Sequence, residues 1–211
     1  MTSSAREVLK WLAVILMTGD HIAKVVYGGY VPGLSEAGRV AFPLFALVMA
    51  YNLAQSGADV GKSVRRLALW GVIAQPVHAV VFGYWLPLNI LLTFALSAAA
   101  LYAVNQRGWT ALVAFAVAAL VLPAFVDYQW SGVWFVLLTY FGYREKSPGA
   151  LLAAFVPLCI FNGNLWAVMA VPVAALLAHS QWRVARAGRA FYGYYVGHLA
   201  ALGAIALIAH P

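Results

Sequence analysis

Charge is what this chain lacks. Only six of its 211 residues are acidic and thirteen basic, 9% in all. A soluble domain carries about 25%. With 64% hydrophobic residues and a mean hydropathy of +0.85, the composition excludes an ordinary soluble domain and reads as a membrane protein. Cysteine is reduced to Cys159, in an apolar run, which excludes an intramolecular disulfide and leaves the compartment open. There is no internal repeat, which counts against a repeat-built transporter. A glycine-rich phosphate loop is absent, as is a histidine pair at four-residue spacing with glutamate. The three histidines in apolar runs also lack an evident carboxylate partner, so no metal is expected. The first apolar run contains Asp20, His21 and Lys24 and no small-residue cleavage site follows it, so it reads as a span.

What is present is a series of apolar segments, at about 9–27, 39–56, 66–82, 86–104, 109–126, 131–143, 148–161, 165–179 and 190–209. They predict an all-α polytopic bundle of about nine transmembrane helices in one domain, 1–211. Several are shorter than the ~20 residues that cross ~30 Å, which implies tilt or partial re-entry. The net charge of +7 does not call for nucleic acid, because the basic residues alternate. Arg6, Lys10, Lys62, Arg65, Arg66, Arg107, Arg144, Lys146, Arg183, Arg186 and Arg189 all fall on one side of a nine-span path. The positive-inside rule makes that side the cytoplasm, with the N-terminus there and the C-terminus outside. Lys24 and Arg39 belong to the other half, where tyrosines and tryptophans fit an interfacial belt against lipid.

The sharpest signal is Asp20-His21 inside the first run. Ionisable groups in hydrocarbon are costly, rare and usually functional. Lys10 and His21 are eleven residues apart, which puts them within about 20° on a helix and roughly 16 Å apart along it. A neutral histidine is the usual general base near pH 7. A polar network that only pins helix packing is the plainer reading; Asp20 beside it and Lys10 three turns away favour chemistry. Asp20 cannot face its neighbour His21, so it should orient a group on another helix. Arg39 opens the second span and has Asp20 or Glu36 as expected partners, with Pro43 one turn in. Pro76 should kink the third span, and His78 follows it at a depth like that of His21. Asn89, Thr93 and Ser97 form one stripe, suited to ligand or to interhelical bonds alike. Asp127 lies at an outer helix end. His198 is near mid-membrane, and Gly193 and Gly197 suggest close helix approach.

Six stretches then carry a family likeness: Leu9-Lys10 through Leu16-Met17 to Asp20-His21-Ile22; Gly38 to Ala46; Ala74-Gln75-Pro76; Leu88 to Thr93; Val126-Asp127-Tyr128 with Gly132-Val133; and Tyr195 to His198-Leu199. In this order they resemble the TraX family of conjugative-pilin acetylases over nearly the whole length. Val196 stands where that family often has proline. Lys10 with His21 is also similar to the basic-residue, ten-spacer, histidine signature of the wider membrane acyltransferases. The resemblance implies acetyl-CoA as co-substrate with no permanently bound cofactor, and the N-terminal amine of a processed pilin as acceptor, in the bacterial inner membrane. His21, Asp20, Lys10, Arg39 and His198 become the catalytic candidates, with Asn89 or Arg39 as oxyanion donors. Gln75, His78, Asn89, Thr93, Asp127 and Tyr195 become substrate-binding candidates. Lys62, Arg65, Arg66, Arg183 and Arg186 offer a docking surface for the polyanionic donor. Glycan O-acetylation, a non-enzymatic pilin maturation factor and a proton-coupled transporter remain alternatives.

Overall fold

Thr2 starts the first helix by accepting the Ala5 amide on its hydroxyl, 3.0 Å away. In the computed structural model, which describes residues 1–182, 184, 186, 188 and 190–209, the described residues are helical throughout apart from turns and one isolated bridge. The helices are α1 (Ser3–Val25), α2 (Leu34–Leu53), α3 (Val60–Phe82), α4 (Ile90–Val104), α5 (Trp109–Ala116), α6 (Gln129–Arg144), α7 (Pro148–Ala153), α8 (Phe155–Asn162), α9 (Ala170–Leu177) and α10 (Ala190–Ala209). α1 lies along α2, α3 along α4, and α10 against α3 and α1. Leu9, Leu44, Leu101, Phe135, Leu158 and Leu199 are fully enclosed among them.

Each apolar segment forms a helical rod, but the rods differ in length. Among the described residues two helices, Leu34–Leu53 and Ala190–Ile208, are long and apolar enough to cross a membrane. Four further apolar rods run only 10–17 residues. Proline explains part of this. Pro157 cannot donate to Ala153, and α7 stops there. Pro123 cannot donate to Ala119. The rod that begins as α5 therefore widens into a π turn at Val117–Val121 and closes with a 3-10 turn at Leu122–Phe125. The indole of Trp134 donates to the freed Ala119 carbonyl at 3.1 Å, and Trp130 donates to Leu120 at 2.9 Å.

The outside of the bundle is greasy. Leu69, Val80, Leu120, Ile160, Leu176 and Ile208 are all more than half exposed, whereas Asp20, Gln75, His78, Asn89 and His198 are buried. Water-soluble proteins place these classes the other way round.

α3 holds Pro76 within its length. Two sequence expectations change. α2 begins at Leu34, so Pro43 sits in its interior, and the carbonyl of Arg39 loses its intrahelical donor. Gly193 and Gly197 face open space, with nothing within 4 Å of where a Cβ would stand. The close approach occurs instead at Gly38, where a Cβ would strike the Asp20 side chain, and at Gly71, where it would lie 3.2 Å from the Leu92 backbone nitrogen.

Candidate active site

α1, α2, α3, α4 and α10 enclose a cavity of about 460 Å³, well within the size range of small-molecule sites. Lys10, Asn52, Ser63, Arg66 and Tyr192 line one end. Asp20, Lys24, Arg39, Asp127 and Tyr128 line the other. His21, His78, Phe82 and Tyr195 also line the cavity. Charge of both signs is available at the second end, whereas the first is lined by cations and neutral polar groups.

His21 is held from α10. Its Nδ1 lies 2.7 Å from Nε2 of His198, and Nδ1 of His198 lies 2.8 Å from the main-chain oxygen of Tyr194. The tautomers follow. A carbonyl only accepts, so His198 carries its hydrogen on Nδ1 and, when neutral, presents a lone pair at Nε2. His21 must therefore donate from Nδ1, which leaves its own Nε2 unprotonated on a side chain that lines the cavity. The rings of His21 and His198 are nearly parallel, 6° apart. Edge contacts from Phe82 and Tyr195 fix His21 from two sides. One turn down α1, Thr18 donates to the Val14 carbonyl and so receives the Tyr194 hydroxyl at 2.7 Å.

Asp20 does not serve His21, nor a group on another helix. Its Oδ2 pairs with Lys24 at 2.6 Å on α1 itself, because residues four apart share a helix face. Its Oδ1 is buried without a partner. Arg39 pairs with neither Asp20 nor Glu36 and reaches Asn162 at 3.4 Å. Lys10 is held by Glu7 at 2.8 Å and lies 5.0 Å over the Phe191 ring. His78 is buried, with Nδ1 unpartnered.

Gln75, Asn89 and Thr93 do not line the cavity. Asn89 caps α4 by accepting the Leu91 amide, and its Nδ2 donates to Gly71 and Gln75. Gln75 in turn donates to the Trp85 carbonyl and accepts the Asn89 amide. Thr93 donates to the Asp127 carbonyl at 2.8 Å. These bonds splice α3 to α4 and seat Asp127, which leaves Asn89 no hydrogen for an oxyanion. Asp127 lies in the turn before α6, and its Oδ1 accepts the Tyr128 amide; burial pushes its carboxyl above the usual carboxylate range, against the pull of Lys24.

Of the basic docking candidates, Arg66 lines the cavity, and its Nε is buried without a partner. Lys62 and Arg65 are exposed on α3. Arg186 donates to Ser3 at 3.0 Å. Arg183 lies outside the described residues, as does Arg189. Among the described residues no group of three or more His, Cys, Asp or Glu is placed to hold a metal. The sequence pointed to each histidine but not to the His21–His198 bond, which joins residues 177 apart in the chain.

The fold and site define an all-helical bundle in which an oriented histidine, His21, lines a cavity bordered by charge of both signs. The family model for the TraX protein matches residues 5–206, and the chain belongs to the TraX family. It is similar to Protein TraX of Escherichia coli, 31% identical over 96% of this chain and 87% of that one. A second Protein TraX, from strain K12, is 29% identical over the same shares. An uncharacterised protein of Rickettsia prowazekii (strain Madrid E) is 34% identical over 46% of this chain and 36% of its own. No solved structure matches the chain.

Proposed function

We propose that this protein is a multi-pass acetyltransferase of the bacterial inner membrane, with about nine spans and a cytoplasmic N-terminus. It moves acetyl from cytoplasmic acetyl-CoA to the N-terminal amine of a processed conjugative pilin. The observation that carries the reading is the chain from the Tyr194 carbonyl through His198 to His21, which ends in a free imidazole lone pair on a cavity wall. A general base of this kind accepts the proton of an attacking amine. Lys10 and Arg66 at one end suit the phosphates of a polyanionic donor. Asp20 and Asp127 at the other suit an arriving ammonium group. The apolar exterior and the lipid-length helices α2 and α10 support the membrane setting.

Co-expression of the pilin with wild type or His21→Gln tests this directly. Intact mass should show pilin about 42 Da heavier, with a blocked α-amine, only with wild type. Equal pilin mass in the presence and absence of the gene would overturn the reading.

A further inference from the structure

We infer that His78 is the group that meets the developing oxyanion, a role that deepens the acyl-transfer reading above and rests on it. His78 is only 4% exposed, and its Nδ1 makes no hydrogen bond. That atom is closed to the cavity, so the nitrogen free to meet a ligand is Nε2, which makes no hydrogen bond to the described residues; a polar group left unpaired away from water costs about 1–3 kcal/mol. The side chain lines the same cavity as His21. The two imidazoles come from different helices, α3 and α1, and both rest on Phe82, with ring centroids 4.8 Å and 5.6 Å from it. Their bonding differs completely. His21 is oriented by His198, whereas among the described residues no acceptor claims the Nε2 side of His78. Of the other donors considered for this role, Asn89 is occupied. It gives both its hydrogens' worth of bonding to Gly71 and Gln75, and Arg39 turns one N–H to Asn162 at 3.4 Å.

The step balances with these two groups. The amine nitrogen attacks the thioester carbon while its proton passes to Nε2 of His21. The carbonyl electron pair moves onto oxygen, where the Nε2–H of His78 receives it. On collapse the C–S bond breaks, the C–N bond stands, and the leaving sulfur takes the proton from the His21 imidazolium. The products are the amide and the free thiol. A fixed donor aimed where charge develops is worth about 10²–10³ in kcat when removed.

The test uses full-length protein in detergent, acetyl-CoA, and a short peptide with a free α-amine. His78→Phe should lower kcat by roughly 10²-fold and change the acetyl-CoA KM little. His78→Gln keeps an N–H and should recover about tenfold of that loss. The carbonyl infrared band of carbon-13-labelled acetyl-CoA bound to His21→Gln protein should lie at lower wavenumber than in buffer. It should return toward the free position in the His21→Gln, His78→Phe double variant. The inference fails if His78→Phe keeps wild-type kcat, if Gln and Phe lose equally, or if Tyr195→Phe rather than His78→Phe moves the band. Thiol release no faster with wild-type protein than without protein would instead defeat acyl transfer itself.

Discussion

At the scale of single residues, His198 separates two kinds of contribution. It contacts His21 and orients it, and its own hydrogen is committed to a main-chain carbonyl. His198→Leu removes the acceptor for the His21 Nδ1 hydrogen and frees the ring to choose the other tautomer. Acetylation should fall by roughly 10²-fold. His198→Gln offers an amide oxygen in nearly the same place and should retain clearly more activity than leucine. Initial rates of thiol release at saturating acetyl-CoA measure both, and equal rates for the two variants would remove the orienting role. His21 itself was legible in the sequence because an ionisable group is so costly in an apolar run. Its partner was not, since nothing local in α1 or α10 reports a contact across 177 residues. The polarity of Gln75 and Asn89 was equally visible and pointed the wrong way. A polar side chain that splices two helices has the same sequence pattern as one that awaits a ligand.

At the scale of elements, one joint spaces two cavity walls and a second braces a rod outside the cavity. The first is the crossing of α1 and α2 at Gly38, where the Asp20 side chain occupies the space a Cβ would need. Gly38→Ala should cost about 1–3 kcal/mol by overpacking and lower the melting temperature in detergent. It should also disturb the Asp20–Lys24 pair. The second is the rod that begins as α5, where Pro123 frees the Ala119 carbonyl and Trp134 takes it up. Trp134→Phe preserves most of the apolar bulk but leaves that carbonyl unpaired, and should cost about 1–3 kcal/mol by thermal or denaturant unfolding. A melting curve like wild type would mean the indole bond contributes nothing. The apolar runs predicted where the rods lie, because burial and lipid both demand long apolar stretches. They did not predict the starts of α1, α2 and α3. Those are set by the caps at Thr2, Gly33 and Asp59, and they extend each helix several residues ahead of its apolar stretch.

At the scale of the molecule, the described basic loops gather at one end of the bundle. Arg6 bonds Asn52, Arg186 bonds Ser3, and Arg144 bonds Asn105, so the described basic loops are tied to one end of the bundle. A periplasm-dependent reporter fused after Pro211 should be active, and a cytoplasm-dependent one silent. The reverse pattern would defeat the nine-span path. Within that frame, Lys10→Ala and Arg66→Ala should raise the acetyl-CoA KM more than they lower kcat. Added salt should narrow the gap from wild type, because screening weakens the advantage of the native charges. Substituting Lys62 or Arg65 by alanine, at exposed positions that do not line the cavity, should leave KM nearly unchanged. An increase equal to that of Arg66→Ala would place donor docking on the surface of α3 instead.

The main-chain carbonyl at the end of the histidine chain bears on how the polypeptide enters the membrane at all. A catalytic histidine is commonly oriented by a carboxylate, and here that carboxylate would have to sit on the last helix. Inserting an aspartate at the centre of a helix costs roughly 2.5–3.5 kcal/mol on the biological scale. The Tyr194 carbonyl orients His198 without formal charge, and α10 carries none between Ala190 and Ala209. The final segment can therefore partition into lipid as an uncharged helix, and His21 gains its acceptor only when α10 docks on α1. Orientation of His21 and docking of the last helix are one event, which spares the final segment any formal charge of its own.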